Sequence, residues 1–320
     1  MGSSACHYTK LNYCLKLKDQ IICDYSHDIL TSKQDNSIND NNANKLLKIN
    51  VSDPAISIIN EESDYKIIVL QNKHKNILNT LYNIFNKNND VNDKNEVLVS
   101  FINGEKYIGE WAYKKNQKEG RGIKMFQNNY IYFGYWENDK MNGEGKLIKF
   151  KQKINDLNII FNDNTSPFYY GTWKNNFQDG YGKETWHDNS FYEGEYKNGY
   201  KEGKGKLILP DGTEYEGEFS HGHIQGKGKI KYKDGRAYEG SWTFNKMNGE
   251  GIFTWPDGRI YKGTYLNNFK NGFGEFTWPN GKIYKGMWTK GKQNGNGKLY
   301  ISESNVWISG TWKDGKRIKK

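Results

Sequence analysis

The sequence predicts an all-β fold: an elongated, twisted, single-layer antiparallel ribbon of β-hairpin repeats behind a short, partly disordered or helical N-terminal region. Asp-Gly or Asn-Gly pairs recur every 23 residues, at Asp211, Asp234, Asp257 and Asn280, and tyrosines recur at the same interval. Glycine alternates with aromatic residues between these pairs. A unit this small cannot bury a core alone and must pack on its neighbours, so function is expected on surfaces.

One repeat reads as two short strands. Tyr215-Glu216-Gly217-Glu218-Phe219 is followed by a polar stretch, a Gly-Lys-Gly-Lys-Ile segment and then Asp-Gly. Asp-Gly is a strong hairpin signal and predicts a type I′ turn, with positive φ at both central residues. The strand period of two places the aromatic residues and glycines on one face and the glutamates on the other. A ring from a neighbouring strand can lie over a glycine, which has no Cβ.

This pattern resembles the MORN (membrane occupation and recognition nexus) repeat, which runs Tyr-x-Gly-x-Trp, Gly-x-Gly, Asp-Gly. The resemblance covers residues 97–320, with an insertion at 151–167, a degenerate half-repeat from Val97 and a truncated last unit from Ile308. Eight copies begin at Tyr107, Tyr132, Tyr169, Tyr192, Tyr215, Tyr238, Tyr261 and Tyr284.

Residues 1–96 form a separate N-terminal region. Residues 31–60 are rich in Asn, Asp and Ser, which indicates disorder or weak order. Ile77, Leu81, Ile84 and Phe85 have helical spacing and predict an amphipathic helix over 72–86. That helix either caps the first open strand of the ribbon or binds a membrane or partner.

Composition favours a cytoplasmic protein. The first 100 residues hold 11 Lys/Arg and 12 Asp/Glu, against 47 and 37 in the whole chain, so the positive charge belongs to the repeats. The three cysteines lie near the N-terminus, and an odd count is no disulfide framework. The sequence contains no apolar run long enough for a transmembrane helix, and no signal peptide is expected.

The first six residues, Met-Gly-Ser-Ser-Ala-Cys, partly match an acylation signal. Gly2 would carry myristate and Cys6 palmitate, although the myristoylation pattern asks for Ser or Thr where Cys6 stands. A myristoyl chain anchors only marginally without a second signal. The alternatives are a chance match or a cloning remnant.

No catalytic chemistry is predicted. The strands of the repeat are predicted to continue on both sides of each Gly-Lys-Gly-Lys segment, whereas a phosphate loop opens a helix. His221 and His223 fit a solvated turn better than a metal site. The acidic residues recur at repeat positions, which favours structural roles over a single active site. We therefore expect no enzyme activity, no cofactor and no metal.

Two surfaces are candidate binding sites. Glutamates and lysines face each other across the strands of the repeats at Tyr192 and Tyr215, but lysines replace the glutamates toward the C-terminus. This predicts a basic patch for anionic lipid or an acidic partner, made of Lys262, Lys282, Lys285, Lys290 and Lys292. The aromatic–glycine face is the second surface, for a protein segment: Tyr192, Tyr215, Phe219, Tyr238, Trp242, Trp255, Tyr261, Trp278, Tyr284 and Trp288.

The resemblance implies a non-catalytic scaffold that binds proteins and phospholipid, links membrane to cytoskeleton and forms homodimers through repeat ends. The expected location is peripheral membrane, at the inner leaflet or the cytoskeleton. The alternatives are a regulatory component of phosphoinositide signalling, like phosphatidylinositol-4-phosphate 5-kinase, or an axonemal radial-spoke-like component. Nucleic acid is not expected, since the aromatic residues are used in packing.

Overall fold

A computed structural model describes residues 56–62, 65–70, 96–101, 104–151 and 165–318, with side chains for the last two ranges. The chain divides into two units. Of the described residues, those up to 187 belong to the N-terminal unit and those from 188 to 318 belong to the C-terminal unit. The described residues form antiparallel strands and turns and contain no helix.

The N-terminal unit is an antiparallel ladder in which successive strands pair. Its first two strands, β1 and β2, precede the repeats and were not expected from the sequence. The insertion expected at 151–167 lies in the connection between β7 and β8. The strands are β1 (Ile56–Glu62), β2 (Tyr65–Leu70), β3 (Glu96–Phe101), β4 (Lys106–Ala112), β5 (Gln117–Met125), β6 (Tyr130–Glu137), β7 (Lys140–Lys149), β8 (Phe168–Lys174) and β9 (Phe177–Thr185).

The C-terminal unit repeats the same hairpin, and its strands also pair in chain order. The strands are β10 (Phe191–Lys197), β11 (Tyr200–Ile208), β12 (Glu214–Ser220), β13 (His223–Lys231), β14 (Ala237–Thr243), β15 (Lys246–Thr254), β16 (Ile260–Leu266), β17 (Phe269–Thr277), β18 (Ile283–Thr289), β19 (Lys292–Ile301), β20 (Val306–Lys313) and β21 (Lys316–Ile318). The all-β hairpin ribbon expected from the sequence is confirmed in each unit.

Paired glycines set the register. Gly217 lies opposite Gly228 within one hairpin, and Gly228 lies opposite Gly240 of the next hairpin. A Cβ on Gly228 would stand 2.2 Å from the Tyr215 hydroxyl oxygen, and one on Gly217 would stand 2.5 Å from the Gly228 Cα. The tyrosine ring thus lies over the glycine pair, as expected, and any larger residue would displace it.

The tyrosine ring is held at both ends. The Tyr215 hydroxyl donates a hydrogen bond to the Glu218 carbonyl at 3.0 Å. The ring makes edge-to-face contacts with Phe219 at 5.2 Å and with Trp242 of the next repeat at 5.5 Å. The Trp242 indole in turn donates to the Gly228 carbonyl at 3.1 Å. Each repeat therefore needs a ring of its neighbour to complete its core.

The type I′ turn predicted at the Asp-Gly pairs differs from the turns observed between the repeats. In the Asp-Gly turns that separate one repeat from the next, only the glycine has positive φ, 84° at Gly212, and the Asp211 carboxylate accepts from the Thr213 amide at 2.9 Å. These turns therefore lack the paired positive φ values of a type I′ turn. The two-residue turns inside the repeats have them instead: Asn267 and Asn268 have φ of 49° and 72°. Asparagine tolerates this region because its short side chain bonds locally.

Candidate functional site

The aromatic–glycine face forms the core of the ribbon. Eight of the ten aromatic residues assigned to it from the sequence are buried, because neighbouring rings and glycines enclose each one. Their surfaces are not open to a partner in this structure. These residues are Tyr192, Tyr215, Phe219, Tyr238, Trp242, Tyr261, Tyr284 and Trp288.

The other two aromatic residues, Trp255 and Trp278, are partly exposed. Both stand at the end of a second strand, just before a Pro-Asp-Gly or Pro-Asn-Gly turn. Trp255 packs on Phe253, with ring centroids 4.4 Å apart, and the Arg259 guanidinium lies 5.3 Å from its ring. The Lys282 ammonium lies 5.4 Å from the Trp278 ring. Each tryptophan is thus a partly exposed ring beside a cation.

Lys270 lies inside this aromatic layer. Its ammonium stands 4.4 to 5.1 Å from four ring centroids. Burial lowers the pKa of Lys270 to about 8, and the positive charge of Arg259 acts in the same direction. Among the described residues no carboxylate forms an ion pair with it. The rings are those of Trp255, Tyr261, Phe276 and Trp288.

The structure separates the five lysines of the predicted basic patch. Lys282 precedes β18 and Lys290 follows it, so the seven residues of that strand, about 23 Å, lie between them. Lys292 is beside Lys290 and lies 3.6 Å from Asp314. Lys262 and Lys285 lie on the sheet face opposite the aromatic core, and Lys285 pairs with Glu275 at 2.9 Å. The lysines thus occupy two strand ends and one face.

That opposite, outer face carries apolar residues that the sequence reasoning missed. We name Ile252, Ile260, Phe273, Met287 and Trp307 the outer apolar surface. Each is more than two-fifths exposed, with Phe273 at 62 %. The signal was present in the sequence, because three repeats earlier the positions of Phe273 and Met287 hold Lys204 and Glu218. Large contiguous apolar patches on a protein surface mark interaction sites, whereas single exposed apolar residues do not.

Other predicted features lie outside the described residues. These are the acylation candidates Gly2 and Cys6 and the amphipathic helix over 72–86. Across the described residues no helix has the length and apolar character needed to span a bilayer. The same part of the chain shows no cluster of three or more His, Cys, Asp or Glu side chains suited to a metal ion.

The repeat is recognised directly. The MORN repeat profile matches residues 107–129, 132–149, 169–191, 192–214, 215–235, 238–258, 261–283 and 284–305, together more than half of the chain. The chain belongs to the MORN repeat family. All eight matches begin at the tyrosines identified from the sequence, which confirms the eight-copy assignment.

No curated protein matches this MORN repeat chain. Among solved structures, it is similar to the SAS-4 (dCPAP) TCP domain of Drosophila melanogaster in complex with a proline-rich motif of Ana2 (dSTIL). That match has 9 % identity and a TM-score of 0.31, and covers 60 % of this chain and 90 % of the other. The G-box domain of the microcephaly protein CPAP has 13 % identity and a TM-score of 0.34, with 68 % and 99 % covered. Likenesses this low support no functional conclusion.

Proposed function

We propose that this MORN repeat protein is a non-catalytic scaffold that binds protein partners through the surfaces of its ribbon. One observation carries the proposal. Most aromatic residues on the aromatic–glycine face are buried in the core of the ribbon, but Trp255 and Trp278 are partly exposed beside Arg259 and Lys282. Partly exposed tryptophans next to cations suit a partner segment with apolar and acidic side chains. The aromatic–glycine face then contacts its partner at these two rings.

Affinity purification of the full chain from native cells tests this function. Trp255→Ala with Trp278→Ala is expected to lose partners that the wild-type chain captures. Tyr200→Ala removes an exposed ring outside this pair and is the matched control. Both chains must show the wild-type unfolding midpoint, so that a fold defect is not read as lost binding. Capture by the double variant equal to wild type would contradict the proposed contact.

Membrane attachment is a second part of the proposal. It is supported by the Met-Gly-x-x-x-Cys start of the sequence, in which Gly2 and Cys6 would supply two acyl chains. The lysines at the strand ends, Lys282, Lys290 and Lys292, would add attraction to anionic lipid. The protein would then be cytoplasmic and peripheral to a membrane or its cytoskeleton, and homodimers would form through repeat ends.

Cell fractionation tests the membrane part. Gly2→Ala and Cys6→Ser are each expected to move the protein from the membrane pellet to the soluble fraction, because one chain alone holds only marginally. Cys14→Ser is the control, as it removes a cysteine away from the acylation signal. If both variants pellet like wild type, lipid anchoring is wrong.

A further inference from the structure

The outer face of the C-terminal unit changes character along the chain. In its first repeats this face alternates charge: Lys204 lies opposite Glu218, and Lys206 lies opposite Glu216. From β15 onward apolar or basic residues take several of these positions, although Glu250 and Glu275 remain acidic. Phe273 lies directly opposite Met287, the position equivalent to the earlier Lys204 and Glu218 pair. The fold tolerates either pair, so the apolar pair is not needed for packing.

Register arranges these residues in three lines that run across the strands. Phe273 and Met287 belong to one outer line. The other outer line starts at Ile260 on β16 and ends at Trp307 on β20. Each residue of this line lies opposite the next one on the neighbouring strand. The two outer lines are four residues apart along a strand, about 13 Å. The middle line runs between them and contains Ile252, Lys262, Glu275, Lys285 and Lys298.

The middle line is positive. We name Lys262, Lys285 and Lys298 the basic row. Glu275 is its one acidic residue, and that carboxylate already pairs with Lys285 at 2.9 Å. The Lys285 ammonium also lies 5.6 Å from the Trp307 ring, which ties the basic row to one apolar flank. The surface is therefore a positive centre between two apolar flanks.

We propose that the outer apolar surface, with its basic row, docks an acidic segment of a partner protein that carries apolar side chains on both sides of its carboxylates. The carboxylates would meet the basic row while the apolar side chains cover Phe273 and Met287 on one flank and Trp307 on the other. This inference rests on the proposed scaffold function and adds a second surface and the chemistry of its partner.

The arrangement favours a protein segment over a bilayer. A surface that lies on a membrane inserts its apolar face and keeps its charges on the headgroup side. Here the lysines and Glu275 lie between the apolar lines, so inserting both flanks would carry four charged groups toward hydrocarbon. A peptide places complementary groups residue by residue and meets no such cost.

Fluorescence anisotropy of labelled synthetic peptides with the full chain tests the inference. The probe is a peptide of about ten residues, which is long enough to span the surface in extended form, containing Leu and Glu in mixed order. Two comparison peptides replace Leu with Ser, or Glu with Lys. The Leu/Glu peptide is expected to bind best, with binding that weakens in high salt.

Two variants introduce the residues that earlier repeats carry at the equivalent positions. The fold already accommodates those residues at these positions in the sheet. Phe273→Lys with Met287→Glu copies the Lys204 and Glu218 pair and is expected to weaken binding about ten-fold or more, because it removes apolar burial. Lys262→Glu copies Glu239 and is expected to weaken binding through charge. Lys204→Gln with Glu218→Gln is the control and should bind like wild type.

Four results would overturn the inference. They are equal binding of the Ser/Glu and Leu/Glu peptides, no peptide binding at all, phosphatidylserine vesicle binding that the Phe273 and Met287 variant loses, or a wild-type dimer that becomes a monomer in that variant. Affinity purification from native cells distinguishes failure of this inference from failure of the proposed scaffold function. If the outer-face variant keeps every partner while the Trp255 and Trp278 variant loses some, only this inference fails.

Discussion

Lys270→Met is expected to stabilise the C-terminal unit at neutral pH. The Lys270 ammonium lies among four aromatic rings, and its pKa is lowered to about 8 by burial. The equivalent position one repeat earlier is Met247, which is fully buried, so methionine fits this site in the same register. The substitution keeps an unbranched apolar chain and removes the buried charge.

The magnitude follows from two opposing effects. A fall in pKa from 10.5 to about 8 corresponds to roughly 3 kcal/mol against the charged form. The rings attract the ammonium, and a desolvated cation–π contact contributes up to about 2 kcal/mol. The net gain expected for Lys270→Met at pH 7 is therefore about 1–2 kcal/mol.

The pH dependence of stability provides a second, independent test of the same reasoning. Because the folded-state pKa is lower than the unfolded-state pKa, the unfolded chain binds more protons between about pH 8 and pH 10.5. The free energy of unfolding of the wild-type protein therefore rises with pH through that window. The destabilisation caused by charged Lys270 is fully present below pH 8. The advantage of the variant should shrink as pH rises from 7 to 9.5.

Urea unfolding followed by tryptophan fluorescence at pH 7, 8.5 and 9.5 measures both effects. Comparing variant with wild type at each pH cancels the ionisation of tyrosines common to both. Lys262→Met removes an exposed lysine and is the control, expected to change stability by less than about 0.5 kcal/mol. A destabilised Lys270→Met protein, or a difference that stays constant with pH, would refute the reasoning.

Three further substitutions test the packing of the ribbon by urea unfolding. Gly217→Val should cost about 1–3 kcal/mol, because its Cβ would stand 2.5 Å from the Gly228 Cα; an unchanged midpoint would contradict the ring-over-glycine packing. Asn268→Ala should cost about 1–3 kcal/mol. Alanine would have to adopt the φ of 72° found at this position, and the hydrogen bond that the Met247 amide donates to the Asn268 side chain would be lost. Trp242→Phe should cost about 1 kcal/mol through its indole bond to the Gly228 carbonyl, and no loss would show that this bond contributes nothing.

Residues outside the repeats could not be predicted in the same way. Strand β2 pairs with β3 and β1 pairs with β2, but residues 56–70 carry neither the glycine pairs nor the turn signals of the repeat. Strand β3, in contrast, falls where the degenerate half-repeat from Val97 was expected.

The sequence alone determined the ribbon, because its interactions are local and recur. The 23-residue period, the alternation of rings with glycines and the eight tyrosine starts all concern a residue and its neighbouring strands, so pattern and parity suffice. The type I′ turn predicted at the Asp-Gly pairs between repeats was wrong, since Asp-Gly is compatible with more than one turn type and backbone hydrogen bonds choose between them.

Only the tertiary structure decided which surfaces are available. Parity assigns a residue to a face but does not say whether the next repeat covers it, so buried Tyr215 and partly exposed Trp255 look alike in sequence. The meeting of Phe273 with Met287 depends on the register between two hairpins. The four rings around Lys270 come from three successive strands and the strand end before them, and only packing brings them to one ammonium group.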